Sequence, residues 1–295
     1  MTEHAFEAWM RHHQMCVNRA LTNCVLVNNR SDRKLTEAMA YVALGEGKRV
    51  RALLVFASGT ITHAASNALA QVACAIELIH AYSLVHDDMP CMDDDVWRRD
   101  KPACHIAFGE AIALLTGDAL QSLAFEVLSN PLESVAPNQQ LTMIHLLSQA
   151  IGQEGMAQGQ AIDLTSTSQF LSIQQLQAMH QLKTGRLIQA SILLGALCGQ
   201  RLTASQHAAL NEFAESVGLL FQVTDDILDD NTETFSVPSN GAQCYRPTYV
   251  RALGLAGAKK MARTLHHDAL DCLHSFDAAA DMLRYLADYI AHRTF

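Results

Sequence analysis

Residues 65–89 form an apolar run that ends in HDDMPCMDDD at 86–95. Within the run Leu69, Val72, Ala73, Ile76, Ile79, His80 and Ser83 recur at spacings of three and four, the helical period. The positions between them are largely apolar too. A helix of that kind is buried on nearly all sides and needs other helices around it. The rest of the chain offers them. Apolar-periodic segments follow at roughly 3–29, 35–44, 48–61, 106–129, 138–158, 172–181, 184–199, 203–229, 247–273 and 278–293. The breaks hold Gly, Asn, Ser or Pro, as in SNPLESVAPN at 129–138. No stretch alternates convincingly as a strand. With only 15 Gly and 6 Pro among 295 residues, helix is favoured over a turn-rich β fold. No repeat, low-complexity tract or linker divides the sequence. The expectation is one all-α domain, residues 1–295, a bundle of long, mostly antiparallel helices.

Five aspartates in ten positions at a helix C-terminus repel one another and oppose the macrodipole. Local stability does not account for them; a cation does. Asp87 and Asp93 are six residues apart, about 240° on an unbroken helix, and would face apart. Pro90 lacks an N–H and disfavours helix at the residue before it, so a loop at MPCM can return Asp93 over Asp87. A second cluster, QVTDDILDD at 222–230, puts Asp225 and Asp229 on one helix face. Either cluster alone reads as a solvated helix end. Two of them beside strongly apolar helices point to Mg²⁺, with Mn²⁺ as a substitute, since oxygen-only ligands that leave positions open let substrate phosphates complete the shell.

The net charge of −9 argues against nucleic acid as a partner. An acidic chain that binds anions must gather its cations locally. GKRVR supplies Lys48, Arg49 and Arg51; WRRDKP supplies Arg98, Arg99 and Lys101; LKTGR supplies Lys183 and Arg186. Each alone would pass for a solubilising charge or for charge balance. Together with the acidic clusters they imply two anionic groups, one held through metal and one held directly. Eight scattered cysteines without a CxxC pair or a zinc spacing suggest reduced thiols and a cytoplasmic home. The first sixteen residues do not resemble a signal peptide, and no run of about 18 apolar residues is evident, so no membrane span is expected.

The motifs GKRVR, IELIHAYSLVHDDMPCMDDDVWRRDKPACHIAFGEAIALLTGDAL, GQAIDL, LKTG and FQVTDDILD resemble the trans-isoprenyl diphosphate synthases, and most of all their bacterial farnesyl branch. The resemblance runs over nearly the whole chain. It implies a helical bundle around a deep apolar cavity, usually a homodimer, that condenses dimethylallyl or geranyl diphosphate with isopentenyl diphosphate. It also implies that Asp87 and Asp93 ligate two of three Mg²⁺ ions, and that Asp225 ligates the third with Asp229 assisting. Arg98 and Lys183 would hold the allylic diphosphate. Lys48, Arg51, His80 and Arg99 would hold isopentenyl diphosphate. Gln160 and Asp163 would bind metal-bound water, and Thr184, Gln222 and the Lys183 carbonyl would line the path of the carbocation. Tyr82, five residues before Asp87, would floor the cavity and set a C15 product.

The chain departs from the family pattern in places. Glu46 and Ala52 replace a Gly and a Pro. In VPSNGAQCYRPTY, Pro238 stands at a Lys position, Gln243 at an Asp position and Arg246 at a second Lys position, and the C-terminal basic pair is reduced to Arg293 before Thr294 and Phe295. These changes leave open a catalytically weak paralogue that serves as a partner or regulatory subunit. A terpene cyclase of the same fold would lack a second diphosphate site.

Overall fold

The structure, a computed structural model, describes residues 3–26, 34–45, 47–166, 170–231 and 247–293. The sequence departures at Glu46, 237–246, Thr294 and Phe295 lie outside the described residues. The chain divides into two compact units, residues 1–144 with 194–200 and residues 145–193 with 201–295.

The first unit is built on α4 (Ser66–Asp87). Every position from Val72 to Ile79 is buried, more than two full turns, so no face of this helix meets water there. Around it lie α1 (Glu3–Leu26), α2 (Lys34–Ala43), α3 (Val50–Ile61) and α6 (Glu110–Ser129). Gly117 on α6 leaves room for the His86 ring of α4. A Cβ there would fall 2.0 Å from the His86 Nε2. The expected helix over 106–129 is two, α5 (Cys104–Phe108) and α6, because Gly109 adopts φ 88°, a left-handed value that breaks the helix.

Between α4 and α5 the chain makes a small antiparallel ribbon that the sequence pattern did not reveal. β1 (Trp97–Arg98) pairs with β2 (Lys101–Pro102), Trp97 opposite Pro102 and Arg98 opposite Lys101. Arg99 and Asp100 form its two-residue turn, both at positive φ, 51° and 58°. That is the type I′ geometry whose twist matches a hairpin.

By length and composition α4 and α6 are both apolar enough to cross a membrane, which corrects the expectation that no run qualifies. In α4, however, the buried Glu77 is paired with the guanidinium of Arg49. That arrangement belongs to the interior of a protein.

The second unit is centred on α11 (Ala204–Asn231), which packs on α12 (Tyr249–Cys272), α13 (Asp281–His292) and α9 (Ile173–His180). The expected helix over 138–158 ends at Ile151 as α7 (Pro137–Ile151); the chain then turns and α8 (Met156–Thr165) runs on to Thr165. The α9 helix opens with a capping box: the Gln175 N–H donates to the Ser172 Oγ at 3.3 Å and the Ser172 N–H to the Gln175 Oε1 at 2.9 Å. It leads through a π-helical turn (Gln181–Gly185) into α10 (Arg186–Leu197). The α13 helix buries Met282, Leu283, Leu286 and Ile290, one apolar stripe at helical spacing.

At the end of α9, His180 is buried with its ring 5.3 Å from that of Tyr249. Burial lowers its pKa from 6.5 to about 4. The unfolded chain therefore takes up this proton at a higher pH than the folded one. The stability tied to a neutral His180 is complete above pH 6.5 and is lost as pH falls toward 4, by up to about 3 kcal/mol. Urea unfolding at pH 7 and pH 4.5 is expected to show a smaller acid loss in His180→Leu than in the wild type. Equal losses would mean that the imidazole is not held neutral.

Candidate active site

The first acidic motif begins where α4 stops. The Met92 N–H donates to the Met89 carbonyl at 2.8 Å and the Asp93 N–H to the Asp87 carbonyl at 2.9 Å, so the backbone folds back after Pro90. Asp87 and Asp93 are both half-buried. Asp88 is different: it is buried, at 2% exposure, and is clamped by Arg98. The Arg98 Nε donates to both Asp88 oxygens at 2.9 and 3.2 Å, its Nη2 donates to Asp88 Oδ1, and Nη2 also reaches Asp95 Oδ2 at 3.0 Å. Burial pushes the Asp88 carboxyl up and the Arg98 guanidinium pulls it the other way. Adjacent residues on a helix point about 100° apart, so a doublet gives one carboxylate to the interior and one to the helix end.

The ribbon turn carries Arg99 toward the α2–α3 loop. A Cβ on Gly47 would lie 3.0 Å from the Arg99 Nη1, so the glycine makes room for the guanidinium. In the same loop Lys48 is exposed, and Arg51, in the first turn of α3, places Nη1 3.4 Å from His80 Nε2. Burial, then the charges of Arg51 and Arg99, hold His80 well below its ordinary pKa. The imidazole so held is neutral and keeps one ring N–H to donate. The structure thus brings Lys48, Arg51, His80 and Arg99 into one part of the first unit. A cleft beside them is lined by Tyr41, Gly45, Val85, Asp88, Arg98 and Arg99, among others. Tyr82 is not among its lining residues; its buried ring lies edge-on to His86, 5.8 Å away.

In the second unit the same division recurs on α11. Asp225 is half-buried and Asp229 exposed, whereas Asp226 is buried. Asp226 accepts from the Tyr249 N–H at 2.7 Å and from the Gln222 Nε2 at 2.9 Å, and burial pushes its pKa up to about 6. The Gln222 Oε1 accepts from the Thr184 hydroxyl at 3.0 Å. Thr184 and Lys183 stand in the π turn, and Lys183 Nζ donates to Asp163 Oδ2 at 2.5 Å. The Nε2 of Gln160, one helical turn before Asp163 on α8, is buried and without a partner among the described residues. Two glycines admit this turn. A Cβ on Gly159 would sit 2.2 Å from the Lys183 backbone N, and one on Gly218 would sit 2.9 Å from the Gly185 Cα. Arg293 pairs with Asp225, donates to the Phe221 carbonyl at 3.0 Å and lies 4.0 Å over the Phe221 ring.

Sequence reasoning missed the anchoring roles of Asp88, Asp95 and Asp226, and the contact from Arg293. The doubling of aspartates was the only signal for the first three.

Among the described residues, no three of His, Cys, Asp and Glu gather tightly enough to hold a metal ion by themselves. Hard oxygen donors in ones and twos suit an ion that keeps waters and takes phosphate oxygens, as Mg²⁺ does.

An all-α fold with this set of acidic helix ends and basic loops is that of the trans-prenyltransferases. The family model for polyprenyl synthetase matches residues 32–237. The chain is 44% identical over 265 residues to the farnesyl diphosphate synthase of Haemophilus influenzae, covering 88% of each chain. It is 43% identical over 285 residues to that of Escherichia coli, covering 94% of this chain and 95% of the relative. A solved apo structure described as an FPP/GFPP synthase, from Zymomonas mobilis, superposes with a TM-score of 0.89 at 37% identity, covering 98% of this chain and 100% of that one. The chain belongs to the polyprenyl synthetase family.

Replacing Gly159 with Ala sets a Cβ against the backbone that carries Lys183 and Thr184. Overpacking of that kind costs about 1–3 kcal/mol. Gly159→Ala is therefore expected to lower the urea midpoint, and Gly218→Ala, with its wider 2.9 Å gap, to lower it less. Equal midpoints for wild type and both variants would show that α8 and α11 can give way.

Proposed function

We propose that the protein is a Mg²⁺-dependent short-chain prenyltransferase that joins dimethylallyl or geranyl diphosphate to isopentenyl diphosphate, giving geranyl and farnesyl diphosphate. The observation that carries the reading is the gathering of Lys48, Arg51, His80 and Arg99 in the first unit, together with the return of Asp93 to Asp87 at the end of α4. An anion can be bound there directly while a second anion is bound through metal. In the first unit Asp87 and Asp93 would hold two ions; in the second, Asp225, with Asp229 assisting, would hold a third. When bound, the ions neutralise the charge that grows on the leaving diphosphate oxygens.

Arg98, already oriented by Asp88 and Asp95, and Lys183, oriented by Asp163, are read as direct ligands of the allylic diphosphate. Their carboxylate partners reduce the reorganisation needed on binding. The Thr184 hydroxyl and the Gln222 amide present oxygens, with the Lys183 carbonyl, to stabilise the allylic cation. The double bond of isopentenyl diphosphate attacks this cation and a proton leaves, with the departing diphosphate as the base. His80, neutral and beside Arg51, serves binding and not proton transfer. Water must be kept from the cation, which an apolar interior does.

The finer properties follow the same reading. Residues 1–295 act as one domain, since the unit boundaries at 144/145 and 193/194 fall inside the helices α7 and α10. Exposed Leu114 and Leu115 on α6, with Ile106 on α5, support a homodimer. The seven described cysteines are free thiols, in keeping with a cytoplasmic site. Nothing in the acidic composition favours nucleic acid. A second reading, a slow paralogue that serves as a partner subunit, draws on the ion pair that engages Asp225 with Arg293.

The test incubates purified protein with Mg²⁺, geranyl diphosphate and labelled isopentenyl diphosphate and resolves products by length. Activity is expected to vanish with excess chelator, and Asp87→Ala to cut turnover at least about a hundredfold with little change in Tm. Full activity in EDTA would end the metal reading, and saturation only at unusually high Mg²⁺ would favour the slow paralogue. Tyr82→Ala should shift products beyond C15 by opening space; an unchanged distribution would place the length determinant elsewhere.

A further inference from the structure

Arg49, in the α2–α3 loop, takes no part in the proposed chemistry, yet its guanidinium makes four hydrogen bonds. It is buried, at 7% exposure. Its Nη1 donates to Glu77 Oε2 on α4 at 3.1 Å, and its Nε to Asn18 Oδ1 on α1 at 3.1 Å. Its Nη2 donates to the Ala43 and Gly45 carbonyls at the end of α2, both at 2.9 Å. Glu77, at 2% exposure, uses its other oxygen to accept from the Ala52 N–H at 3.1 Å in the first turn of α3. One buried ion pair therefore ties α1, α2, α3 and α4 to a single loop.

The backbone of Arg49 sits at φ 55°, ψ 34°, a left-handed conformation that costs a β-carbon residue energy and persists only where the surroundings over-determine it. The turn it creates sends Lys48 to one side, exposed, and starts α3 so that Arg51 meets His80. The Gly47 position on the same turn is where Arg99 packs. Lys48 and Arg51 thus take their placement from the turn at Arg49, and the same turn brings Arg51 to His80 of α4 and Gly47 to Arg99 of the ribbon. The charge balance points the same way. Arg49 adds its repulsion to that already acting on Arg99 and His80, and Glu77 offsets it at Arg99.

We infer that Arg49 and Glu77 form a positioning pair for the non-allylic diphosphate site, acting through the left-handed turn and not by touching substrate. This rests on the assignment of Lys48, Arg51, His80 and Arg99 to isopentenyl diphosphate.

The test compares steady-state KM for isopentenyl and geranyl diphosphates, kcat, and Tm in wild type, Glu77→Gln, Asn18→Ala, the double variant Arg49→Met with Glu77→Met, and Arg51→Ala. Glu77→Gln removes the counter-charge and keeps the acceptor for Ala52; KM for isopentenyl diphosphate is expected to rise about tenfold, with the geranyl diphosphate KM within about twofold. The double variant leaves no lone buried charge, so its Tm should recover relative to Glu77→Gln while the raised KM stays. Asn18→Ala, exposed and mild, should raise the same KM by a smaller factor with Tm unchanged, and stands in if Glu77→Gln fails to fold. If KM recovers together with Tm in the double variant, the pair is only structural and the inference is overturned. It is also overturned if neither Glu77→Gln nor Asn18→Ala moves KM while Arg51→Ala does. If Arg51→Ala leaves the isopentenyl diphosphate KM unchanged, the underlying site assignment is what fails.

Discussion

The burial of α4 on every face from Val72 to Ile79 limits where this protein can place chemistry. Along that stretch the helix has no wetted side, which leaves the turns from His80 to Asp87 to offer reactive groups. At its C-terminus the macrodipole disfavours anions, and two adjacent carboxylates repel. The doublet Asp87–Asp88 meets this by dividing the work. Asp88 turns inward and is neutralised by Arg98, which in turn fixes the ribbon that follows; Asp87 stays at the helix end with Asp93 folded back toward it. The α11 helix repeats the arrangement, with Asp226 buried against the Tyr249 N–H and Gln222 while Asp225 and Asp229 remain more accessible. In both places the doubled aspartate is one anchor and one candidate ligand.

An acidic chain with 21 Lys and Arg against 30 Asp and Glu has little general attraction for anions. Several of its cations are held in place by carboxylates. Arg98 is fixed by Asp88 and Asp95, Lys183 by Asp163, Arg49 by Glu77. A long cationic side chain loses much rotamer freedom when it binds a ligand, and an internal partner incurs that loss on folding instead. At Arg98 and Lys183 the arrangement would trade some binding strength for preorganisation, since an anion bound there would compete with a resident carboxylate. Asp225, a candidate metal ligand, is likewise engaged, by Arg293.

Similarity to farnesyl diphosphate synthases extends over almost the whole chain, so the helices and their order are those of a well-populated family. The shared motifs are supported here by a π turn admitted by Gly159 and Gly218, a two-residue hairpin turn made by Arg99 and Asp100, and the left-handed Arg49. All three are local strains or close approaches held by packing around them.

The helices were legible in the sequence because apolar periodicity is a local property. The run at 65–89, the segments at 203–229 and 278–293 and the break at 129–138 all match helices or their ends within a few residues. The acidic and basic clusters were legible as candidates for the same reason: charge crowded against an apolar helix has no local explanation. Only the tertiary structure decided which aspartate of each doublet is buried, that Arg49 serves Glu77 while Arg51 meets His80, that Thr184 reaches Gln222, and that a ribbon carries Arg98 and Arg99. These partners are 28, 29 and 38 residues apart in the first, second and third of the side-chain pairs. Periodicity says which face of a helix is apolar. It does not say which distant backbone will arrive there, and the identity of that neighbour determines whether a charge is an anchor or a ligand.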